Sequence, residues 1–143
     1  MAIEELSNSL PMMLYKALDT IMPKFRIIFK EFGITEPQAR VLRILWQHKK
    51  IALNELSSLS LITPPSLVGV IDRMELNGFV ERNNSNIDRR KIIVNLTKKG
   101  KTLESKILPK VEKVYTEIES SMTKKDLNNT LFLLNKISLI DKR

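Results

Sequence analysis

A mainly α fold carrying a small β-wing is what this sequence predicts, and three observations predict it. Apolar residues recur at steps of three or four along several stretches, each bounded by helix start and stop signals. One of these stretches opens on Thr63-Pro64-Pro65 and runs into Asn77-Gly78. Two short apolar runs follow, divided by a polar, basic connection at 83–90. A helix, a short strand, a basic turn and a second strand within residues 60–102 make the arrangement of a winged helix-turn-helix.

Residues 10–32 read as a long helix. Leu10, Leu14, Leu18, Ile21, Phe25, Ile28, Phe29 and Phe32 form its apolar stripe, and Gly33 ends it. Pro23 is expected to kink the helix or split it near Met22. The aromatics suit core or subunit packing. A sharper alternative is that Phe25, Arg26 and Phe29 also line a small-molecule cleft. Thr35-Glu36-Pro37-Gln38 is a helix start in which Thr35 caps, Gln38 reaches back and Pro37 falls in the first turn. That helix continues to His48-Lys49-Lys50. Its Arg40 and Arg43 are near neighbours on one side, as surface cations or ion-pair partners.

Ile51-Ala52-Leu53 is enough for a small edge strand, and 54–59 for a brief helix with Leu56 and Leu59 inward. Thr63 is the expected N-cap of the next helix, with Pro64 at its favoured first position. Leu67, Val70, Ile71 and Met74 give that helix its stripe, while Ser66, Gly69, Asp72 and Arg73 face outward. Gly78 is expected to stop it in a left-handed conformation. Residues 79–82 and 91–96 pair as strands. The connection between them is too polar for the interior and too long for a tight turn. Thr97 caps a second long helix carried by Leu103, Ile107, Val111, Val114, Ile118 and Met122, which Pro109 should bend. Thr123 and Asp126 start the last helix, whose stripe is Leu127, Leu131, Leu134 and Ile137 and whose end is Asp141-Lys142-Arg143.

The net charge is +8, and its placement says more than its size. From Arg82 to Lys106 eight basic residues face only Asp88 and Glu104, so about three quarters of the net charge lies there. A basic surface alone is commonly just solvated. A positive hairpin tip beside a candidate recognition helix is instead the footprint of nucleic-acid binding. Without cysteine, disulfides and thiol redox sensing are excluded, and with one histidine a transition-metal site is not expected. Four glycines form no phosphate loop, and no nucleophile–histidine–acid set surrounds His48, so neither catalytic residues nor a cofactor are expected. No apolar run is long enough for a membrane span and no signal peptide is evident, which makes the cytoplasm the expected compartment. The first and last helices carry more apolar surface than one small winged helix can cover, which points to a symmetric dimer.

Several short motifs occur together in order: Ile34-Thr35-Glu36-Pro37-Gln38, Asn54-Glu55-Leu56, Pro65-Ser66-Leu67, Asp72-Arg73-Met74-Glu75 with Gly78, Asp88-Arg89-Arg90, and Leu96-Thr97-Lys98-Lys99-Gly100. On these the chain resembles the MarR family of bacterial regulators over essentially its full length. Phe25-Arg26, Val41-Leu42-Arg43-Ile44-Leu45 and Pro65-Ser66-Leu67-Val68-Gly69 resemble most the subgroup controlling homoprotocatechuate degradation operons.

The resemblance implies one MarR-type domain over 1–143, with dimerisation helices at 10–33 and 103–141 and a DNA-binding lobe at 34–102. It implies a wing-tip Asp-x-Arg, matched by Asp88 and Arg90, whose arginine enters the minor groove. Arg89 and Lys91 flank it. Thr63, Pro64, Ser66, Leu67 and Arg73 fall in or beside the recognition helix, where Leu67 is either a DNA contact or wholly core. The Thr63-Pro64-Pro65 entry departs from the family pattern by removing two backbone N–H groups that otherwise hold a phosphate. Many relatives bind aromatic or phenolic carboxylates. Here Arg26 or Arg40 would take the carboxylate and Phe25 or Phe29 the ring. The function implied is a homodimeric repressor on a pseudo-palindromic double-stranded operator, released by such a ligand. The rival is a non-specific architectural DNA-binding protein, which charge alone would support.

Overall fold

A computed structural model describes residues 7–142; Arg143, at the expected end of the last helix, lies outside the described residues. The chain divides into two compact units, Met1–Leu108 and Pro109–Arg143, with one helix running across the boundary. Its elements are α1 (Leu10–Glu31), α2 (Glu36–His48), β1 (Lys50–Ala52), α3 (Leu53–Ser60), α4 (Pro64–Leu76), β2 (Val80–Asn84), β3 (Ile92–Leu96), α5 (Lys98–Ser120) and α6 (Lys124–Ser138). The expected helical architecture with a small three-stranded sheet is present.

The helix ends follow local chemistry. Thr35 and Gln38 close a full capping box on α2, and Thr123 and Asp126 do the same on α6. Helix α1 ends with Gly33 at φ +68, the Gly33 N–H donating to the Lys30 carbonyl and the Ile34 N–H to the Phe29 carbonyl. Helix α4 ends in the same way: Gly78 has φ +79, its N–H donates to Glu75 and the Phe79 N–H donates to Met74. Both are Schellman terminations, which need a left-handed residue that glycine adopts without strain. Helices α1 and α5 run unbroken through Pro23 and Pro109, so neither proline splits its helix. Helix α6 stops at Ser138, short of the expected Asp141.

The core of the first unit is built from Val41, Leu42 and Leu45 of α2, Leu56 of α3, Leu67, Ile71 and Met74 of α4, and Val80 and Val94 of the sheet. Two details differ from the sequence-based expectation. Leu59 is half exposed on α3 rather than inward. The turn after α3 instead buries two hydroxyls: Ser57 Oγ donates to the Ile62 carbonyl at 2.6 Å, and Ser60 Oγ to the Ser57 carbonyl at 3.4 Å. Leu61 occupies the left-handed region at φ 57 while its side chain stays exposed. From α2, Arg40 Nη1 donates to the Ser60 carbonyl at 2.9 Å and locks that turn.

The sheet is antiparallel in the order β1-β3-β2. Ile51 faces Val94 across β1 and β3, and Arg82 faces Val94 across β2 and β3. Gly100, in the first turn of α5, sits against this sheet. A Cβ there would overlap the Phe79 carbonyl and Leu96 Cδ1, while its own carbonyl accepts from Trp46 Nε1 at 3.0 Å. Thr97 caps α5 as expected, accepting from the Gly100 N–H at 3.1 Å.

In the second unit, α6 buries none of its residues. Leu131, Phe132, Leu133 and Leu134 all remain exposed. Much of α1 likewise leaves Leu10, Met13, Tyr15 and Leu18 open.

Candidate nucleic-acid interface

Helix α4 separates its residues by face. Leu67, Val70, Ile71 and Met74 are buried, whereas Thr63, Pro64, Ser66, Asp72 and Arg73 are exposed. Leu67 is therefore a core residue, fully enclosed, and cannot reach a base or phosphate. The pattern follows from helical spacing: Leu67, Val70, Ile71 and Met74 share one side of the helix and Ser66 and Arg73 the other.

Thr63 holds the N-cap position without capping the backbone. Its hydroxyl donates instead to Ser66 Oγ at 3.1 Å, joining two exposed hydroxyls at the helix entrance. Because Pro64 and Pro65 have no N–H, polar contact at this end rests on those side chains and not on a phosphate cradle of amides. Ser66 and Arg73 line an open groove of about 620 Å³ with Pro37 and Arg40 of α2.

The wing tip is tightly ordered by its own hydrogen bonds. Ser85 Oγ accepts from the Ile87 and Asp88 N–H groups at 3.2 and 3.3 Å. The Ser85 N–H donates to the Lys91 carbonyl at 2.9 Å and the Lys91 N–H to the Asp88 carbonyl at 3.0 Å, closing the loop. Asp88 Oδ1 accepts from both the Arg90 N–H at 3.0 Å and Arg90 Nε at 3.3 Å. A half-buried carboxylate thus aims a guanidinium whose side chain is 92% exposed. Arg89 and Lys91 are exposed on either side of it.

Arg82 ties this hairpin to α4. From β2 its Nε meets Glu75 at 3.0 Å and its Nη2 meets Asp72 at 2.5 Å. Donating to the Glu75 carboxylate, and then to that of Asp72, holds the Arg82 guanidinium above its ordinary pKa. Sequence reasoning counted Arg82 only as one more cation. The available signal was a pair of carboxylates three residues apart on the outward face of α4, followed by one arginine on the next strand. Lys99 was also missed as a connector: its Nζ donates to the Asn77 carbonyl at 2.7 Å and sits 5.1 Å from the Phe79 ring centre.

Of the four residues expected at a ligand cleft, Phe25, Arg26 and Phe29 lie on α1 and Arg40 on α2. Phe25 and Phe29 stack with ring centres 6.4 Å apart, and Arg26 is exposed on the next position of α1. Arg40 lies in the groove beside α4, where Glu36 already engages it. Nη2 donates to Oε2 at 3.1 Å, while Nε approaches Oε1 at 2.8 Å as a charge contact off the N–H direction. Among the described residues no group of three or more His, Cys, Asp or Glu could hold a metal ion, and no helix is long and apolar enough to cross a membrane.

A helix presenting hydroxyls and a guanidinium, fastened to a hairpin with an oriented arginine at its tip, defines a winged helix-turn-helix regulator. The chain belongs to the MarR family, whose model matches residues 34–92. It is 33% identical over 129 residues to the homoprotocatechuate degradative operon repressor of Escherichia coli, covering 90% of this chain and 87% of that one. Among solved structures it is similar to the transcriptional regulator PA4135, at 34% identity and a TM-score of 0.86 over 93% of this chain and 98% of that one. It is also similar to NadR in complex with 4-hydroxyphenylacetate, at 28% identity and a TM-score of 0.84, covering 99% and 100% of the two chains. These relatives are regulators of transcription, not enzymes.

Proposed function

We propose that this protein is a transcriptional repressor that binds a pseudo-palindromic operator as a homodimer and releases it on binding a small aromatic acid. The observation that carries the reading is the Asp88–Arg90 contact at a basic tip, held to α4 through Arg82. A narrow minor groove concentrates negative potential and attracts such an arginine, while α4 has a free polar face for the adjacent major groove. The work is done where the chromosome is, in the cytoplasm.

Residues 34–102 act as the DNA-binding lobe. Segments 10–33 and 103–141 supply the dimer contacts, which accounts for the uncovered apolar side chains on α1 and α6. Two lobes related by a two-fold axis would meet half-sites about one helical turn, roughly 10 base pairs, apart. Phe25, Arg26 and Phe29 remain the residues for an aromatic carboxylate. Arg26 is the better placed cation, since Arg40 is occupied by Glu36 and Ser60. The likeness to a homoprotocatechuate degradative operon repressor and to NadR in complex with 4-hydroxyphenylacetate supports that ligand class.

The test is a binding titration against duplex DNA flanking the protein's own gene, with a shuffled duplex as control, at two salt concentrations. A large preference for the native fragment, reduced by 4-hydroxyphenylacetate, is expected. Equal and salt-sensitive binding to both duplexes would instead favour an architectural protein, whose affinity comes from phosphate neutralisation alone.

A further inference from the structure

Between the oriented arginine and the body of the hairpin stands an isoleucine with no visible purpose in the folded chain. Ile87 is 99% exposed, the most exposed of the large apolar side chains among the described residues. It does not hang from a loose loop. The Ser85 hydroxyl fixes its N–H, and the following Asp88 is fixed by the same oxygen. Three cations, Arg89, Arg90 and Lys91, follow within four positions. The loop therefore holds a bare branched hydrocarbon at the leading edge of the most basic part of the molecule. Water gains nothing from this arrangement, and core packing does not require it.

We infer that Ile87 is a further DNA contact, packing on the deoxyribose walls of the minor groove while the neighbouring Arg90 reaches its floor. The inference rests on the DNA-binding reading above. The chemistry is complementary on both counts. Minor-groove walls are the apolar face of the backbone, and proteins that enter this groove combine cations with apolar side chains. A β-branched side chain also has few rotamers to lose on contact. Such a contact is steric and apolar, so it would favour a narrow groove and add a preference at base pairs that α4 does not touch.

The test uses the full-length protein and the duplex that the wild type itself selects from a pool of random sequences. Affinity is measured for wild type, Ile87→Ala, Ile87→Leu and Arg90→Ala across a series of salt concentrations. Ile87→Ala should bind about tenfold more weakly, the scale expected for losing much of a buried isoleucine, with an unchanged salt slope and an unchanged melting temperature. Ile87→Leu should retain most of the affinity, and Arg90→Ala should flatten the salt slope by about one. A selected duplex bound equally by wild type and Ile87→Ala would overturn the proposal and leave the regulator reading intact. A wild type that selects no sequence at all would overturn both.

Discussion

Leu67 and Ser66 are adjacent, yet they belong to different parts of the problem. Leu67 lies wholly inside and Ser66 on the outward face of α4. Leu67→Ala should cost about 2–5 kcal/mol in urea unfolding, because the emptied site cannot fully collapse. Ser66→Ala should leave stability within about 0.5 kcal/mol and show its effect in operator affinity. At the wing, Arg90→Ala should weaken operator binding by about 1–3 kcal/mol in the same titration. Wild-type affinity in that variant would mean that the tip stays outside the groove. Gly100→Ala is a further residue-scale expectation. The added methyl meets the Phe79 carbonyl and Leu96, a clash that should destabilise by about 1–3 kcal/mol on thermal melting.

At the scale of elements, the legible features were those written in local chemistry. The Thr35 and Thr123 capping boxes, the terminating Gly33 and Gly78, and the apolar stripe of α4 need only a few neighbouring residues, and all stand where the spacing puts them. What escaped depends on partners distant in the chain. Leu59 has helical spacing but its side of α3 meets no core. Thr63 has the right residue type for a cap, but its hydroxyl turns to Ser66. Arg82 gave no hint of its role because Asp72 and Glu75 are brought to it only by the packing of β2 beside α4. These pairs are partly exposed, so their contribution to stability is small, on the order of 0–1 kcal/mol. Their larger effect is geometric. Arg82→Met should change the melting temperature little yet weaken specific binding, since the wing is then no longer held in register with α4. Equal operator affinity in both proteins would mean that the wing keeps its register with α4 without Arg82.

At the scale of the molecule, α6 is the element that a single chain leaves unexplained. A helix of 15 residues with none buried is marginal in water on its own. Its Leu131, Leu134 and Ile137 repeat at helical spacing and remain at least a third exposed. A second copy is the commonest cover for such a face. Leu134→Glu should therefore shift the protein toward monomer in sedimentation equilibrium, while circular dichroism still reports a folded winged lobe. A monomeric wild type would remove the dimer from the proposed mechanism. Two lobes bound in one complex would raise affinity, since the second engages at the high effective concentration set by the first.

The double proline at the mouth of α4 carries a thermodynamic consequence. Pro64 and Pro65 fix two φ angles in the first turn of α4 before any duplex arrives. The Ser57 and Ser60 hydrogen bonds and the Arg40 clamp hold the turn leading into it. An interface that arrives already ordered has little coupled folding to contribute, so the heat capacity change on binding should be small and set by surface burial alone. The association enthalpy, followed by calorimetry over temperature, should then run nearly straight and shallow. Accommodation of imperfect half-sites would fall to the spacing between the two lobes.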